Sequence, residues 1–205
     1  MKSPVDSHNQ DVLAPLVERV LELAARPEED DKKALWAQLN ALEPTDKIPV
    51  CLTYGGIRDD DWTYMLGEDY LQCETRQDAP RIAHGGLVGT RALTLAQHIE
   101  FFLRRVIWMA ENVPDDHVVW PALPIPAVYA AGHHDWGVNL GWHTGGDFGS
   151  AAVDPPFPDE VDWSRLQAAR SQVDETATQA RLKHARDLTA NQLLVYPTYA
   201  TLGES

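Results

Sequence analysis

The sequence predicts an α/β fold, a parallel sheet with helices packed outside it. Two observations lead there. Short apolar runs bounded by turn residues alternate along the chain with longer segments of helical periodicity, the pattern of strand–helix units. The composition, 44% hydrophobic and 23% charged, is that of a globular protein with a real core. At 205 residues the chain is expected to form one domain, burying roughly 70% of its unfolded surface.

The elements follow in order. Val12, Leu13, Leu16, Val17, Val20, Leu21 and Ala24 recur at helical spacing, which predicts a helix over 11–25 with Pro15 in its first turn and Pro27 as its breaker. Leu35, Trp36, Leu39 and Leu42 mark a second helix ending before Pro44. The apolar run Ile48–Thr53 predicts the first buried strand, with Cys51 an inert thiol inside it. Residues 54–90 read as a long irregular region, with Gly55-Gly56 and Gly85-Gly86 as flexible points. Residues 91–111 carry the clearest helical stripe, Leu95, Ala96, Ile99, Phe102, Leu103, Val106, Ile107 and Ala110. A second strand is expected over His117–Trp120, stopped by Pro121, then an irregular stretch over 122–143 with a strand at Gly137–Trp142. Residues 144–162 read as loop. Asp174 caps a helix running to about Leu188, and Gln192–Tyr196 forms a last strand before Pro197.

The net charge is −14 and the isoelectric point about 4.8. So acidic a surface repels phosphate backbones and anionic membranes, which argues against nucleic-acid and membrane partners. Two cysteines make no disulfide framework. The first ten residues are polar and no apolar run approaches the ~20 residues a membrane span needs, so a cytoplasmic location is expected.

Four stretches carry a family likeness: Leu35–Pro44 leading into Ile48–Cys51; Leu71–Glu74 followed by Phe101–Arg105; Pro114–Pro121; and Phe157–Leu166 followed by Val173–Thr178. In this order and spacing the chain resembles the N-terminal part of the uroporphyrinogen decarboxylase and corrinoid methyltransferase superfamily. The resemblance implies a partial (β/α) TIM-type barrel, with a helical lead-in over 1–46 and the first βα units over 47–205. A closed eight-stranded barrel takes about 250 residues, more than this chain has. The final residues offer no capping element after the last strand, which suggests truncation.

Within that superfamily the decarboxylases carry an arginine-rich motif after the first strand. Here that place is Tyr54–Trp62, with one arginine and three aspartates, the wrong charge for a polyanionic porphyrinogen. The aspartate that the decarboxylases place after the second strand is also missing, since Trp120-Pro121-Ala122 stands there. The resemblance therefore favours the methyl-transfer branch, in which zinc activates a thiol and a corrinoid protein is the partner. In that branch the zinc ligands come mainly from the later half of the barrel, so no metal ligands are assigned in this chain.

Cleft candidates are Tyr54 and His84, in the region after the first strand, where barrel sites form. Trp120 is a stacking candidate, with Trp136 and Trp142. His133, His134 and His143 are the remaining candidates and, with Asp135, offer donors suited to zinc. His133 and His143 would nevertheless lie about 30 Å apart along an extended strand unless the chain bends. They support a weaker reading as a small metal-dependent hydrolase, the bland alternative being polar loop histidines. His117 reads as structural. Cys73, beside Glu74, is expected to be a poor nucleophile. The main alternative is a non-catalytic truncated barrel, completed by a partner or a homo-oligomer through open sheet edges.

Overall fold

The computed structural model describes residues 4–52, 65–67, 70–74, 81–83, 92–130, 142–144, 151–153, 163–165 and 172–199. Helix α1 spans Pro4–Ala24, α2 Pro27–Asn40, α3 Leu95–Asn112 and α4 Glu175–Leu188. The strands are β1 Arg81–Ala83, β2 Ala92–Thr94, β3 Ala122–Pro126, β4 Tyr129–Ala130, β5 Trp142–Thr144, β6 Ala151–Val153, β7 Gln172–Val173 and β8 Leu194–Thr198. The fold is a mixture of helix and strand. None of the described helices is long and apolar enough to cross a membrane.

Two compact units divide the chain, one of residues 1–125 and 181–197, the other of residues 126–180 and 198–205. The first holds the main core. Leu13, Val17, Val20 and Leu23 line one face of α1 at helical spacing and are buried. Helix α1 packs on α3, whose Ala96, Ile99 and Leu103 join the same cluster. Leu123 and Ile125 of β3, Val195 of β8, and Leu182, Ala185 and Leu188 of α4 complete it.

Helix α1 starts earlier than its apolar pattern suggests, which puts Pro15 in its interior. Proline there removes a hydrogen bond to the carbonyl four residues back. That carbonyl belongs to Asp11, and both Asp11 and Pro15 are exposed, so the freed carbonyl is open to solvent. Pro27, expected as a breaker, is also the first residue of α2. Its fixed φ suits that position, and Glu28, Glu29 and Asp30 in the first turn complement the helix dipole. Helix α3 has the expected stripe and begins with a capping box between Thr94 and Gln97.

Strands β3 and β8 run parallel. Leu194 N–H donates to the Pro121 carbonyl (2.9 Å), and Ala127 N–H donates to the Thr198 carbonyl (2.8 Å). The other described pairs are antiparallel: β1 with β2, β4 with β7, and β5 with β6.

The sequence misplaces strands where proline intervenes. Residues 48–52 and 117–120 are not ladder strands, whereas 122–126, read as irregular, is one. Two properties of β3 and β8 reconcile strand with proline. Donors toward β8 alternate through Ala127, so the nitrogens of Pro124 and Pro126 fall on the outer edge of β3. By the same alternation Pro197 faces away from β3. Among the described residues β3 and β8 pair with each other alone, and a proline whose nitrogen faces an unpaired edge costs no ladder bond.

In the second unit, Asp174 caps the start of α4 as expected, its carboxylate accepting from Ala177 N–H (2.9 Å). Thr178 Oγ1 accepts from Val128 N–H (2.9 Å), and Asp174 N–H donates to the Val128 carbonyl (2.8 Å). These bonds hold the segment after β3 against the start of α4.

Candidate functional site

A dense polar cluster lies where α2, the extended segment 46–52 and the segment 115–119 meet. Glu29 is buried, and its carboxylate accepts from Val119 N–H (2.6 Å) and Lys32 Nζ (2.9 Å). Lys32 also donates to the His117 carbonyl (3.0 Å). Trp36 Nε1 donates to the Asp116 carbonyl (2.7 Å).

Two aspartates then tie segment 46–52 to this frame. The Asp116 carboxylate pairs with Lys47 and accepts from Val50 N–H (3.0 Å), while Asp116 N–H donates to the Val50 carbonyl (2.7 Å). Asp115 accepts from Leu52 N–H (3.0 Å) and from His117 N–H (3.1 Å). Hydrogen bonding to Lys47, with Val50 N–H beside it, holds the Asp116 carboxyl below its ordinary range.

Cys51 Sγ lies 3.3 Å from His117 Nδ1. The thiol is exposed, not enclosed in a strand as its apolar neighbours suggest. Its pKa is raised, first by partial burial of the sulfur and then by the charge of Asp115. That shift works against the thiolate a nucleophile needs.

Beside the cluster an open groove of about 450 Å³ runs along α2. Glu28, Asp31, Asp46 and Asp116 line it against Lys32 and Lys47. Lys32 is tied to Glu29 and Lys47 to Asp116, so the groove keeps an acidic balance. Such a surface favours cationic ligands.

A second polar cluster is closed. Glu100 of α3 is fully buried, and both its oxygens accept from Gln72 N–H at 2.9 Å. Cys73 N–H (2.8 Å) and Arg104 Nε and Nη2 (3.0 and 2.9 Å) complete its shell. Asn9 of α1 brackets the same segment, donating to the Glu74 carbonyl (3.3 Å) and accepting from Glu74 N–H (2.8 Å). Burial, and after it the charge of Glu100, pushes the Cys73 thiol far above its ordinary value. Cys73 is thus a poor nucleophile as expected, with Glu100 rather than Glu74 as the responsible carboxylate.

Of the residues singled out in the sequence, Tyr54, His84, His133 and His134 lie outside the described residues. His143 is in β5, opposite Ala152. Trp120 is 57% exposed, with Lys33 Nζ 5.5 Å from its ring centroid. The sequence reading missed Glu29, Glu100, Asp115 and Asp116. Glu100 carried a signal: with Ala96, Ile99 and Leu103 it shares the buried face of α3, and Arg104 follows at the spacing of a helical ion pair. A carboxylate on an apolar stripe must find hydrogen-bond donors.

A zinc ion is implied only by the family resemblance. Among the described residues no three His, Cys, Asp or Glu side chains converge on a metal site. These residues therefore do not fit the ion, and no step is routed through it. No family model, curated protein or solved structure matches the chain.

Proposed function

We propose that this chain is the front part of a uroporphyrinogen decarboxylase-like (β/α) barrel, of the methyl-transfer branch rather than a porphyrinogen decarboxylase. The observation that carries the reading is the pairing of β3 with β8. They are parallel neighbours, and α4 leads directly into β8. Parallel strands need a crossover connection, and a helix in the crossover, as α4 is here, is the feature this pair shares with the strand–helix–strand unit of such barrels; the antiparallel pairs β4–β7 and β5–β6 lie in the same connection as additions to that unit.

Further support comes from the stretches that carry the resemblance. Gln72 and Cys73 of one part of the second stretch are bonded to Glu100, next to the other part, Phe101–Arg105. The reading thus gives Glu100 and Arg104 a positioning role, setting the segment before β1 against α3. The chemistry would fall to residues of the full barrel, with zinc and a corrinoid protein as cofactor and partner.

The test is made on the native protein from its source. The reading expects bound zinc in about equal proportion to protein, and transfer of a methyl group between a thiol and a free cobalamin, read in the visible spectrum. Native protein with neither property overturns the methyl-transfer reading.

A second reading is favoured by the exposed segment 48–52: a non-catalytic barrel fragment completed by another chain. Stable association of the purified chain with that partner, without methyl-transfer activity, is its expected signature.

A further inference from the structure

Among the described residues, ten large hydrophobic side chains are exposed, and half of them fall within 39–52: Leu39, Leu42, Ile48, Val50 and Leu52. The last three occupy every second position of an extended segment and are 85%, 56% and 52% exposed; of the residues between them Pro49 is buried and Cys51 is exposed. In an extended segment every second side chain lies on the same side. Here the outward face is the apolar one.

One backbone edge of the segment is used. Val50 bonds through both its N–H and its carbonyl to Asp116, and Leu52 N–H bonds to Asp115. Those groups point toward 115–116. The Pro49 carbonyl and the N–H and carbonyl of Cys51 lie along the other edge, with no backbone partner among the described residues; proline has no N–H, so Cys51 supplies the one donor of this edge. An extended aliphatic segment with backbone groups unpaired along one edge, among the described residues, can accept strand addition.

Charge selects the occupant. Lys47 and Asp116, which hold the segment, also line the acidic groove beside it, with Glu28, Asp31 and Asp46. The whole chain carries −14, so a second copy would bring like charge to this edge. We propose that the 48–52 edge binds an extended segment of a different protein, with aliphatic residues alternating with Lys or Arg. Main-chain bonds would go to the free edge, the aliphatic side chains would cover Ile48, Val50 and Leu52, and the basic ones would reach the groove.

The experiment titrates the 205-residue chain against a fluorescein-labelled heptapeptide, Lys-Val-Lys-Ile-Lys-Val-Lys, followed by fluorescence anisotropy. A peptide with Glu at every Lys position is the control. Saturable binding of the basic peptide alone is expected, weakening about tenfold in the triple variant Glu28→Gln, Asp31→Asn, Asp46→Asn. Ile48→Asp is expected to abolish binding. Ile48 is almost fully exposed, so this variant keeps the wild-type circular dichroism and melting temperature. Equal binding of both peptides, no binding, or indifference to Ile48→Asp overturns the proposal. So does a dimer in sedimentation that Ile48→Asp dissolves, because the occupant would then be a second copy. The titration reads the short chain itself, so its outcome is separate from that of the zinc and methyl-transfer measurements.

Discussion

Two clusters in the first unit solve the same problem in opposite surroundings. Around Glu100 and around Asp115–Asp116, carboxylates accept backbone N–H groups of a segment that forms no sheet, 72–73 in one case and 50–52 in the other. Glu100 does so with no exposure, backed by Arg104. The aspartates do so at the surface, and the segment they hold turns apolar side chains outward. The same bonds therefore differ in consequence. In the closed cluster the N–H groups of Gln72 and Cys73 and the Arg104 guanidinium depend on one buried charge. In the open cluster water can take the place of the aspartates, and what remains is a surface shaped for a partner.

The largest effect is expected at Glu100. Glu100→Ala leaves Gln72 and Cys73 N–H without an acceptor and Arg104 without its buried counter-charge, a loss of about 3–5 kcal/mol in urea unfolding. A loss below about 1 kcal/mol would erase the contrast between the clusters. Glu29 is intermediate: it is buried, but it accepts one backbone N–H where Glu100 accepts two. Glu29→Gln keeps an acceptor for Val119 N–H and removes the charge, so about 1–3 kcal/mol is expected.

Asp116 gives a smaller effect with a defined pH signature. Its folded pKa lies below the ordinary value of 3.8, so its contribution is present above that value and is lost as the pH falls through the folded pKa. The difference in urea midpoint between wild type and Asp116→Asn should be constant at neutral pH and shrink toward zero in acid. A difference that grows in acid would contradict the assigned direction.

The thiols sharpen the comparison without changing stability. Cys51 is exposed and Cys73 buried. Ellman's reagent should react with one thiol in the native protein, slowly because the Cys51 pKa is raised, and with the second only in denaturant. Prompt reaction of both would place Cys73 in an open cluster.

The helices were largely legible in the sequence because their stability comes from apolar stripes written at 3.6-residue spacing, as in Leu13, Val17 and Val20, or Ala96, Ile99 and Leu103. The cap at Asp174 was legible for the same local reason. Helix starts were less so, since Pro15 and Pro27 are read as boundaries whereas exposure decides whether an interior proline is tolerated. Strands were obscured by proline. Whether Pro124 or Pro197 ends a strand depends on which edge its nitrogen faces, a property of the pairing and not of the segment. The clusters were hidden because their partners are far apart in sequence: Glu29 meets Val119, and Glu100 meets Gln72. Only the position of Glu100 within an apolar stripe could have announced one of them. Of the candidate side chains, the structure characterises Trp120, an exposed ring beside Lys33.

The parallel pairing of β3 and β8 underlies the barrel reading, and that reading is tested most directly by the intact mass of the native protein from its source cells. A mass of roughly 40 kDa, enough for a full barrel with extensions, is the predicted result. A mass near the 22.9 kDa of these 205 residues would contradict it and leave a fragment completed by a partner.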